Sequence, residues 1–285
     1  MINLTQRGVA SLDRIGEILD QTPTIVAPAA PQPLPSPLEG RIEFRDVTLR
    51  YGAAEALHRI SLEIPAGKTV AVVGHTGSGK SSLVSLIPRL HDPTSGVVAI
   101  DDVDVREFDP QALRERVGFV PQETFLFSTT LSENIAFGVK SATREQIEEA
   151  ARKAGLDVDI AAFPDGYDTV IGERGITLSG GQKQRCAIAR AILRNPAILI
   201  LDDALASVDT VTEERILRSL EETMVGRTTI LISHRVSTVR NADHIFVIEN
   251  GRIAEQGSHD NLVRQRGYYA DLYEKQLLEE EIEAA

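Results

Sequence analysis

Eight residues in the first third of the chain give its strongest structural signal, and they read Gly74-His75-Thr76-Gly77-Ser78-Gly79-Lys80-Ser81. Their spacing matches the phosphate-binding loop pattern G-x-x-x-x-G-K-[ST]. A continuous apolar run at 69–73, typical of a strand buried on both faces, leads into the loop, and a helical pattern at 81–90 follows it. Because glycines let backbone N–H groups turn toward phosphates and the helix start adds a positive dipole, this context predicts a nucleotide-phosphate site.

Two side chains of the loop and a second strand extend this site. Lys80 is expected to neutralise the outer phosphates, and Ser81 is expected to ligate Mg²⁺. A second apolar run, 198–201, ends in Asp202-Asp203, so its tip would present carboxylates where the first strand presents its loop. Asp202 is therefore a predicted Mg²⁺ ligand, usually through water. An apolar run that ends in aspartate is common by itself, and a strand that simply ends at the surface is the alternative.

Composition and charge exclude several classes of protein. The 285 residues carry a formal net charge of -12 without a basic stripe, which argues against a nucleic-acid partner. The single cysteine, Cys186, cannot form an intrachain disulfide, so a reducing intracellular compartment is expected. No apolar run approaches the roughly 18 to 20 residues needed to cross a bilayer. Charged residues such as Arg7 and Asp13 interrupt the N-terminus, so no signal peptide is expected.

The chain divides into an N-terminal segment and a compact domain. Apolar residues near helical spacing predict an amphipathic helix at about 4–19. Six prolines between Pro23 and Pro37 then predict an extended, semi-rigid linker. The compact domain is expected to begin near Gly40, and its first strand, 41–51, has a phase slip in its alternation that suits a β-bulge.

Later elements carry clear local signals. Thr143 and Gln146 form a capping-box pattern before a helix that Gly155 is expected to end. Strong turn chemistry also marks one antiparallel hairpin. The remaining expected elements are strands at 197–201 and 228–232, a hairpin turn at Asn250-Gly251, and a helix at 268–285.

A short segment in the second half identifies a family. Leu178-Ser179-Gly180-Gly181-Gln182, followed by a helical pattern at 183–193, resembles the signature of the ATP-binding cassette (ABC) ATPases. In that family the signature lies at a helix N-terminus and closes over the γ-phosphate of the ATP held by a second subunit. The same residues suit any helix start, so a plain helix cap is the alternative. The resemblance covers about 41–276 and implies ATP and Mg²⁺ as cofactors.

The resemblance implies an α/β fold, namely a P-loop NTPase (RecA-like) core with an antiparallel β subdomain and an inserted α-helical subdomain. It implies an N-terminal helix and proline-rich linker from a transmembrane domain at 1–39 and an ABC ATPase domain at 40–285. The ATPase domain divides into a RecA-like and β core at 40–122 and 177–262, a helical subdomain at 123–176 and a C-terminal helix at 263–285.

Other residues match site positions of the family. Tyr51 falls at the adenine-stacking position, although it would also fit as the last core residue of its strand. Gln122 matches the glutamine that reaches Mg²⁺ and the attacking water, His234 matches the histidine that contacts the γ-phosphate, and 206–209 matches the loop that crosses the dimer. A lone glutamine or histidine would more often be structural.

The site residues that the resemblance implies form three sets. The catalytic set is Asp203, His234 and Gln122. The set for Mg²⁺ is Ser81, Gln122 and Asp202. The nucleotide-binding set is Tyr51, Gly74, His75, Thr76, Gly77, Ser78, Gly79, Lys80, Ser81 and Ser82, with Ser179, Gly180, Gly181 and Gln182 for the ATP of the partner.

Two segments resemble exporters in particular. Residues 169–175 are similar to the loop with which exporters touch the intracellular helices of their transmembrane half, and 133–138 is similar to the exporter helical subdomain. The N-terminal helix resembles the segment that leaves the last transmembrane helix. The resemblance therefore implies a second nucleotide-binding domain, identical or different, as partner, an attached transmembrane domain, and a location at the cytoplasmic face of the cell membrane. The chain by itself is expected to be soluble.

The sequence departs from the family pattern at Asp203, where active members usually place Glu to polarise the attacking water. The carboxylate is one methylene shorter, and because a misplacement of about 1 Å can cost roughly 10²-fold in rate, slow hydrolysis is expected. This combination resembles one half of heterodimeric exporters that have a weak and a competent site. A homodimer in which a small shift lets Asp203 reach the water is the alternative.

The expected function is the ATP-hydrolysing motor of an exporter. One alternative is a slow or non-hydrolysing regulatory subunit of a heterodimeric exporter. A soluble cassette ATPase without a transport role is a third, less favoured hypothesis, because such proteins usually carry coiled-coil inserts, paired cassettes or basic surfaces. The transported substrate has no signal in this chain.

Overall fold

The computed structural model describes residues 2–172, 176–208 and 210–283. Part of the predicted 169–175 loop and Asp209 of the predicted 206–209 loop lie outside this range. The strands are β1 Ile42–Tyr51, β2 Ala54–Ile64, β3 Thr69–Val73, β4 Ser95–Ile100, β5 Val103–Asp104, β6 Val117–Val120, β7 Ile198–Asp202, β8 Thr228–Ile232, β9 His244–Glu249 and β10 Arg252–Gly257.

Helices surround these strands, and two short 3₁₀ turns lie at Val105–Glu107 and Gly166–Asp168. The helices are α1 Ile2–Leu19, α2 Lys80–Ser85, α3 Pro110–Arg116, α4 Leu131–Ala136, α5 Arg144–Lys153, α6 Asp157–Ala161, α7 Gly180–Leu193, α8 Thr210–Met224, α9 Val236–Val239, α10 His259–Gln265 and α11 Tyr268–Glu283. Among the described residues, no helix is both long and apolar enough to span a bilayer.

The first sheet is antiparallel and has the strand order β2-β1-β4-β5. The register between β1 and β2 shifts between Phe44 and Val47, and Asp46 between them has a φ of 50°. The bulge that the phase slip predicted is therefore present, and it returns the apolar residues of β1 to the buried face.

The second sheet has the order β10-β9-β3-β8-β7-β6, and all of its pairs are parallel except β9 with β10. Its central strands β7 and β8 are buried along their whole length, as strands covered on both faces require. β3 has the predicted bounds, and β7 begins one residue after the predicted start. Because β3 lies between β8 and β9, the loop after β3 opens at the carboxyl edge of the sheet.

Three apolar clusters hold the layers together. One lies between the two sheets, one joins α4 to α8 with β7, and one packs α9, α10 and α11 against β3 and β9. The antiparallel sheet, the mainly parallel sheet and the helical segment between β6 and β7 confirm the predicted α/β fold class. The numerical domain boundaries at 40–122, 123–176, 177–262 and 263–285 remain predictions.

Local signals for turns and caps are confirmed. Thr143 caps α5 in a reciprocal capping box with Gln146, and Gly155 follows the helix with a φ of 65°. The β9–β10 turn has Asn250 and Gly251 at φ values of 48° and 72°, as a type I′ hairpin turn requires.

Three predicted helices differ in extent from the structure. The helix expected at 81–90 is regular only to Ser85, and bonds of the i→i−3 kind follow because Pro88 cannot donate to an α-helical ladder. The helix expected at 183–193 starts at Gly180, because the capping box precedes it. The segment expected as one helix at 263–285 holds the end of α10 and then α11, since Arg266 adopts a left-handed φ of 54°.

Candidate functional site

The loop between β3 and α2 depends on glycine at its ends. Gly74 has a φ of 149°, and a Cβ there would lie 2.2 Å from the carbonyl oxygen of Ile248. Gly79 has a φ of 108°, and a Cβ there would lie 2.7 Å from the carbonyl oxygen of Ala56. Only glycine therefore allows the strands β9 and β2 to approach the loop this closely.

Lys80 closes this loop on itself. Its Nζ donates to the carbonyl oxygens of Gly74 at 2.8 Å and His75 at 2.9 Å. Burial lowers the pKa of Lys80, and the nearby carboxylates Asp203 and Asp202 oppose that shift. The ammonium group is thus held at the opening of a loop whose conformation depends on glycine, and a phosphate would be its natural counter-ion there.

A cleft of about 240 Å³ adjoins the loop and brings together residues from four separate parts of the sequence. Its lining residues are Tyr51, Ala56, Thr76, Gly77, Gly79, Lys80, Ser81, Ser82, Gln122 and Asp203. The cleft therefore gathers most of the predicted nucleotide-binding and catalytic residues in one place.

Three predicted residues in or near the loop, Ser78, His75 and Tyr51, have different surroundings. Ser78 is buried, and its N–H donates to the carbonyl oxygen of His75 at 3.1 Å. The His75 ring turns away and meets Tyr268 edge-on at a centroid distance of 4.5 Å. Tyr51 is 44% exposed and meets the His91 ring at 5.2 Å, so it stands at the rim and is not the last core residue of β1.

Asp202 ends β7 with a side chain that is prepared for a cation. The residue is 3% exposed, and its Oδ1 has no hydrogen-bond partner among the described residues. Burial raises the pKa of Asp202, and a hydrogen bond from Ser81 offsets part of that rise. Because a buried carboxylate oxygen without a partner is costly, and because hard oxygen donors suit Mg²⁺, Asp202 and Ser81 fit a magnesium site.

Asp203 and His234 form a pair beside this carboxylate. Asp203 has a φ of 46°, its N–H donates to the carbonyl oxygen of Ile232 at 2.9 Å, and its Oδ1 lies 3.2 Å from Nδ1 of His234. The hydrogen bond to Asp203 raises the pKa of His234. The Asp203 side chain is 14% exposed and that of His234 is 58% exposed, so the pair lies at the open side of the site.

Sequence reasoning missed the groups that hold the chain next to His234. Nη1 of Arg235 donates to the carbonyl oxygen of Val208 at 3.0 Å and pairs with Glu213, which is 2% exposed. Thr238 donates to the same carboxylate. The position of Arg235 immediately after His234 was the only sequence signal for this cluster.

The signature lies in a different place. Ser179 caps α7 in a reciprocal capping box with Gln182, whose Nε2 donates to Asp159 at 2.9 Å. Ser179 and Gly180 are exposed, and none of the residues 179–182 is among those that line the cleft. A Cβ on Gly181 would lie 3.0 Å from the carbonyl oxygen of Ser207, so the signature packs on the predicted dimer-crossing loop.

A third surface feature is an aromatic groove, which sequence reasoning also missed. Phe125 is 67% exposed, Phe127 is 37% exposed and Phe137 is 53% exposed, and their rings are in contact. Arg190 lies over the Phe137 ring at 5.6 Å and donates to the carbonyl oxygen of Asn134 at 2.8 Å. These residues line part of an open cleft of about 310 Å³, which we call the aromatic groove.

Comparison with known proteins gives one family. The sequence profile described as ABC transporter matches residues 57–206. The "ATP-dependent lipid A-core flippase" of Chromohalobacter salexigens is 45% identical over 278 residues, which are 97% of this chain and 48% of that protein. The "Mitochondrial potassium channel ATP-binding subunit" of Xenopus tropicalis is 47% identical over 274 residues, which are 95% of this chain and 40% of that protein.

A solved structure agrees with these relatives. The structure of a bacterial Atm1-family ABC exporter with ATP bound superposes with a TM-score of 0.88 and 40% sequence identity, over 95% of this chain and 47% of that chain. The chain thus spans about half the length of these three proteins or less.

Proposed function

Because this chain belongs to the ABC transporter family, we propose that it is the ATP-binding and ATP-hydrolysing domain of an exporter. It works by closing head to tail with a second such domain over two ATP molecules. The observation that carries the proposal is the separation of the phosphate cleft from the exposed signature. One chain holds two half-sites that cannot serve each other, and a second chain supplies the missing half to each.

Within the cleft each side chain has a distinct task. Lys80 binds the outer phosphates, the free N–H groups at the start of α2 surround them, and Tyr51 stacks on the adenine at the rim. Ser81, Asp202 and Gln122 would hold Mg²⁺, which neutralises charge on the phosphate oxygens. The orphaned Oδ1 of Asp202 supports this assignment.

Asp203 and His234 carry the proton chemistry at a reduced rate. The Asp203 carboxylate orients the attacking water and accepts its proton, and His234 contacts the γ-phosphate. The Asp203 side chain lines the cleft but is one methylene shorter than glutamate, so its carboxylate reaches less far toward an attacking water. We therefore infer slow hydrolysis at this site, as in the weaker half of a heterodimeric exporter. A homodimer with two equally slow sites is the alternative.

The aromatic groove fits the transmembrane partner. Three exposed phenylalanine rings beside a guanidinium form an apolar surface with a polar rim, which is typical of a protein interface. The relatives are about twice as long as this chain and include proteins named as a flippase and an exporter. We infer that the groove receives intracellular helices of a transmembrane domain and that the chain works at the cytoplasmic face of the membrane.

Mixing two damaged chains tests whether the sites are shared. Lys80→Ala disables the cleft and Ser179→Ala weakens the signature, so each variant alone is expected to release little phosphate from ATP. In a mixed dimer one site keeps both an intact cleft and an intact signature, and random pairing is expected to restore about a quarter of wild-type turnover. The matched control mixes each variant with itself at the same total concentration. A mixture no more active than its components would contradict the two-chain site.

A partner with Glu at the position of Asp203 distinguishes the two assemblies. If this chain is the weak half of a heterodimer, mixing it with such a partner domain is expected to raise turnover well above either chain alone. Equal turnover in the mixture and in the separate chains would exclude the heterodimer. ATP-dependent dimerisation of this chain alone, measured by light scattering, would then favour the homodimer.

A further inference from the structure

The last helix of the described chain is anchored firmly at its start. The N–H groups of Tyr268 and Tyr269 donate to the Glu255 carboxylate at 2.5 Å and 3.4 Å, which places an acidic group at the N-terminus of α11. A Cβ at Gly267 would lie 2.2 Å from that carboxylate, so a larger residue there would displace the Glu255 side chain. Tyr269 is fully buried, and its hydroxyl lies 2.8 Å from Nδ1 of His259. The direction of α11 is thus fixed by β10 and α10.

Two turns further along α11, Gln276 reaches the segment that carries His234. Its Oε1 accepts from the N–H of Val236 at 2.7 Å, and its Nε2 donates to the carbonyl oxygen of His234 at 2.6 Å. Val236 is the first residue of α9, and within the described chain its N-cap residue Arg235 gives that helix no side-chain cap. Gln276, which belongs to α11, therefore caps α9 and forms hydrogen bonds with the backbone of the residues on both sides of Arg235.

A second set of contacts, made by Arg235, holds the same segment from the domain interior. Arg235 donates to the Val208 carbonyl and pairs with the buried Glu213, neither of which belongs to α11. The segment is therefore held from one side by the domain core and from the other by α11. Because the His234 ring is 58% exposed and its recorded side-chain hydrogen bond is the one to Asp203, its position follows the position of its backbone.

The same helix also touches the phosphate loop. Tyr268 meets the His75 ring at a centroid distance of 4.5 Å, and Gln276 meets the His234 carbonyl eight residues later. α11 therefore bridges two catalytic segments that are about 160 residues apart in sequence, His75 after β3 and His234 after β8.

We propose that Gln276 is a positioning residue for ATP hydrolysis, which keeps the imidazole of His234 against the carboxylate of Asp203. It does not touch the nucleotide, and it acts only through the backbone that flanks Arg235. This inference rests on the proposed ATPase function, in which His234 contacts the γ-phosphate.

Gln276→Ala in the full chain tests the proposal, with Glu274→Ala on the exposed side of the same helix as the matched control. The kcat for ATP is expected to fall about tenfold in Gln276→Ala, while KM and ATP affinity change by less than about twofold. Glu274→Ala is expected to match the wild type. In a His234→Ala background, Gln276→Ala is expected to cause no further loss, since the two changes remove the same contribution.

A spectroscopic readout separates positioning from turnover. The imidazole resonance of His234, assigned by its absence in His234→Ala, is expected to shift in Gln276→Ala and to stay in place in Glu274→Ala. An unchanged resonance, or an equal loss of turnover in the wild-type and His234→Ala backgrounds, would overturn the role of Gln276.

The failure of the proposed function has a different pattern. If the wild type binds ATP but mixtures with a competent partner release no phosphate, or if His234→Ala leaves turnover unchanged, the catalytic assignment is wrong. A shifted resonance in Gln276→Ala would then still show that Gln276 positions His234, and an unshifted one would refute that as well.

Discussion

The phosphate loop and the signature both place glycine-rich sequence at the N-terminus of a helix, yet the two N-termini differ in how they are capped. The N-cap of α2 is Gly79, which has a φ of 108° and has no side chain with which to cap the helix. The N-cap of α7 is Ser179, whose side chain and that of Gln182 cap the helix reciprocally. The start of α2 therefore keeps its N–H groups free for an anion, whereas much of the hydrogen-bonding capacity at the start of α7 is already used.

This difference teaches how one chain can carry two unlike half-sites. The α2 start lies in a cleft with Lys80 and Asp203, which is open to a ligand from solution. At the α7 start Ser179 and Gly180 are exposed, and the capping box and the bond from Gln182 to Asp159 are made within this chain, without a partner. A preformed surface loses little conformational freedom on association, which suits the proposed contact of the signature with a nucleotide on another chain.

The sharpest test of the comparison removes one polar side chain from each region in turn. Lys80→Ala is expected to weaken ATP binding by about 100-fold, since a charge-assisted hydrogen bond to phosphate contributes roughly 1.5–3 kcal/mol. Ser179→Ala is expected to leave ATP affinity of the isolated chain within about twofold, because that ATP lies in the other half-site. Calorimetric titration with ATP measures both. Equal losses in the two variants would mean that the half-sites are not separate.

A smaller effect is expected from lengthening the catalytic carboxylate. Asp203→Glu is expected to raise ATP turnover about tenfold, because one methylene brings the carboxylate nearer the attacking water. The same lengthening on the signature side, Asp159→Glu, is expected to give no such gain. Phosphate release under saturating ATP and magnesium is the measurement. Rates for Asp203→Glu and the wild type that agree within about twofold would show that the short side chain is not limiting.

Removing the charge of one carboxylate in each region should change stability in opposite directions. The folded-state pKa of Asp202 is raised by burial, so its ionised form lowers the free energy of unfolding at neutral pH, and Asp202→Asn is expected to raise it by about 1 kcal/mol. Asp159 pairs with Arg185 at 2.7 Å, so Asp159→Asn is expected to lower it by about 1 kcal/mol. Urea denaturation without nucleotide measures both, and changes of equal sign would remove the contrast.

Addition of magnesium and nucleotide extends this test. The wild type is expected to gain thermal stability from magnesium beyond that from the nucleotide alone, because ligands of the folded state stabilise it. In Asp202→Asn that extra gain is expected to disappear, whereas Asp159→Asn is expected to keep it. Loss of the magnesium effect in both variants would instead indicate a general defect.

The smallest expected effect is a pH dependence at the open side of the cleft. The pKa of His234 is raised by Asp203, so the contribution of this pair to stability is complete below about pH 6.5, the ordinary histidine value, and is lost as the pH rises through the folded-state pKa. Because the ring is largely exposed, screening limits the effect to about 0.5 kcal/mol. Denaturation between pH 6 and 9 is expected to show this loss in the wild type and a flatter profile in Asp203→Asn.

Much of the fold was predictable because its signals are local. The bulge in β1, the bounds of β3 and β8, the capping box at Thr143 and the type I′ turn at Asn250-Gly251 all depend on neighbours within a few residues. The early end of α2 was missed because the apolar pattern continues past the point where Pro88 breaks the hydrogen-bond ladder.

The site was predictable only in part, for the same reason. The cleft residues occur in motifs that follow strands, so their order along the chain placed them at one edge of a sheet. The contacts of Gln276 with His234 and Val236 join residues about 40 positions apart, and no local pattern marks them. The burial of Glu213 opposite Arg235 likewise depends on packing between separate helices and loops.

The left-handed backbone at residue 203 sets low backbone strain, which favours Asp, against rapid hydrolysis, which is expected to favour Glu. Among residues with a Cβ, Asp and Asn tolerate a φ of 46° with least strain, and Glu tolerates it less well. Directed evolution for heat resistance would therefore retain Asp203, whereas a screen for rapid ATP consumption would select Glu at the same codon. Residue 203 thus affects both the rate of ATP turnover and the stability of the folded chain. A substitution selected for one of these properties is expected to reduce the other.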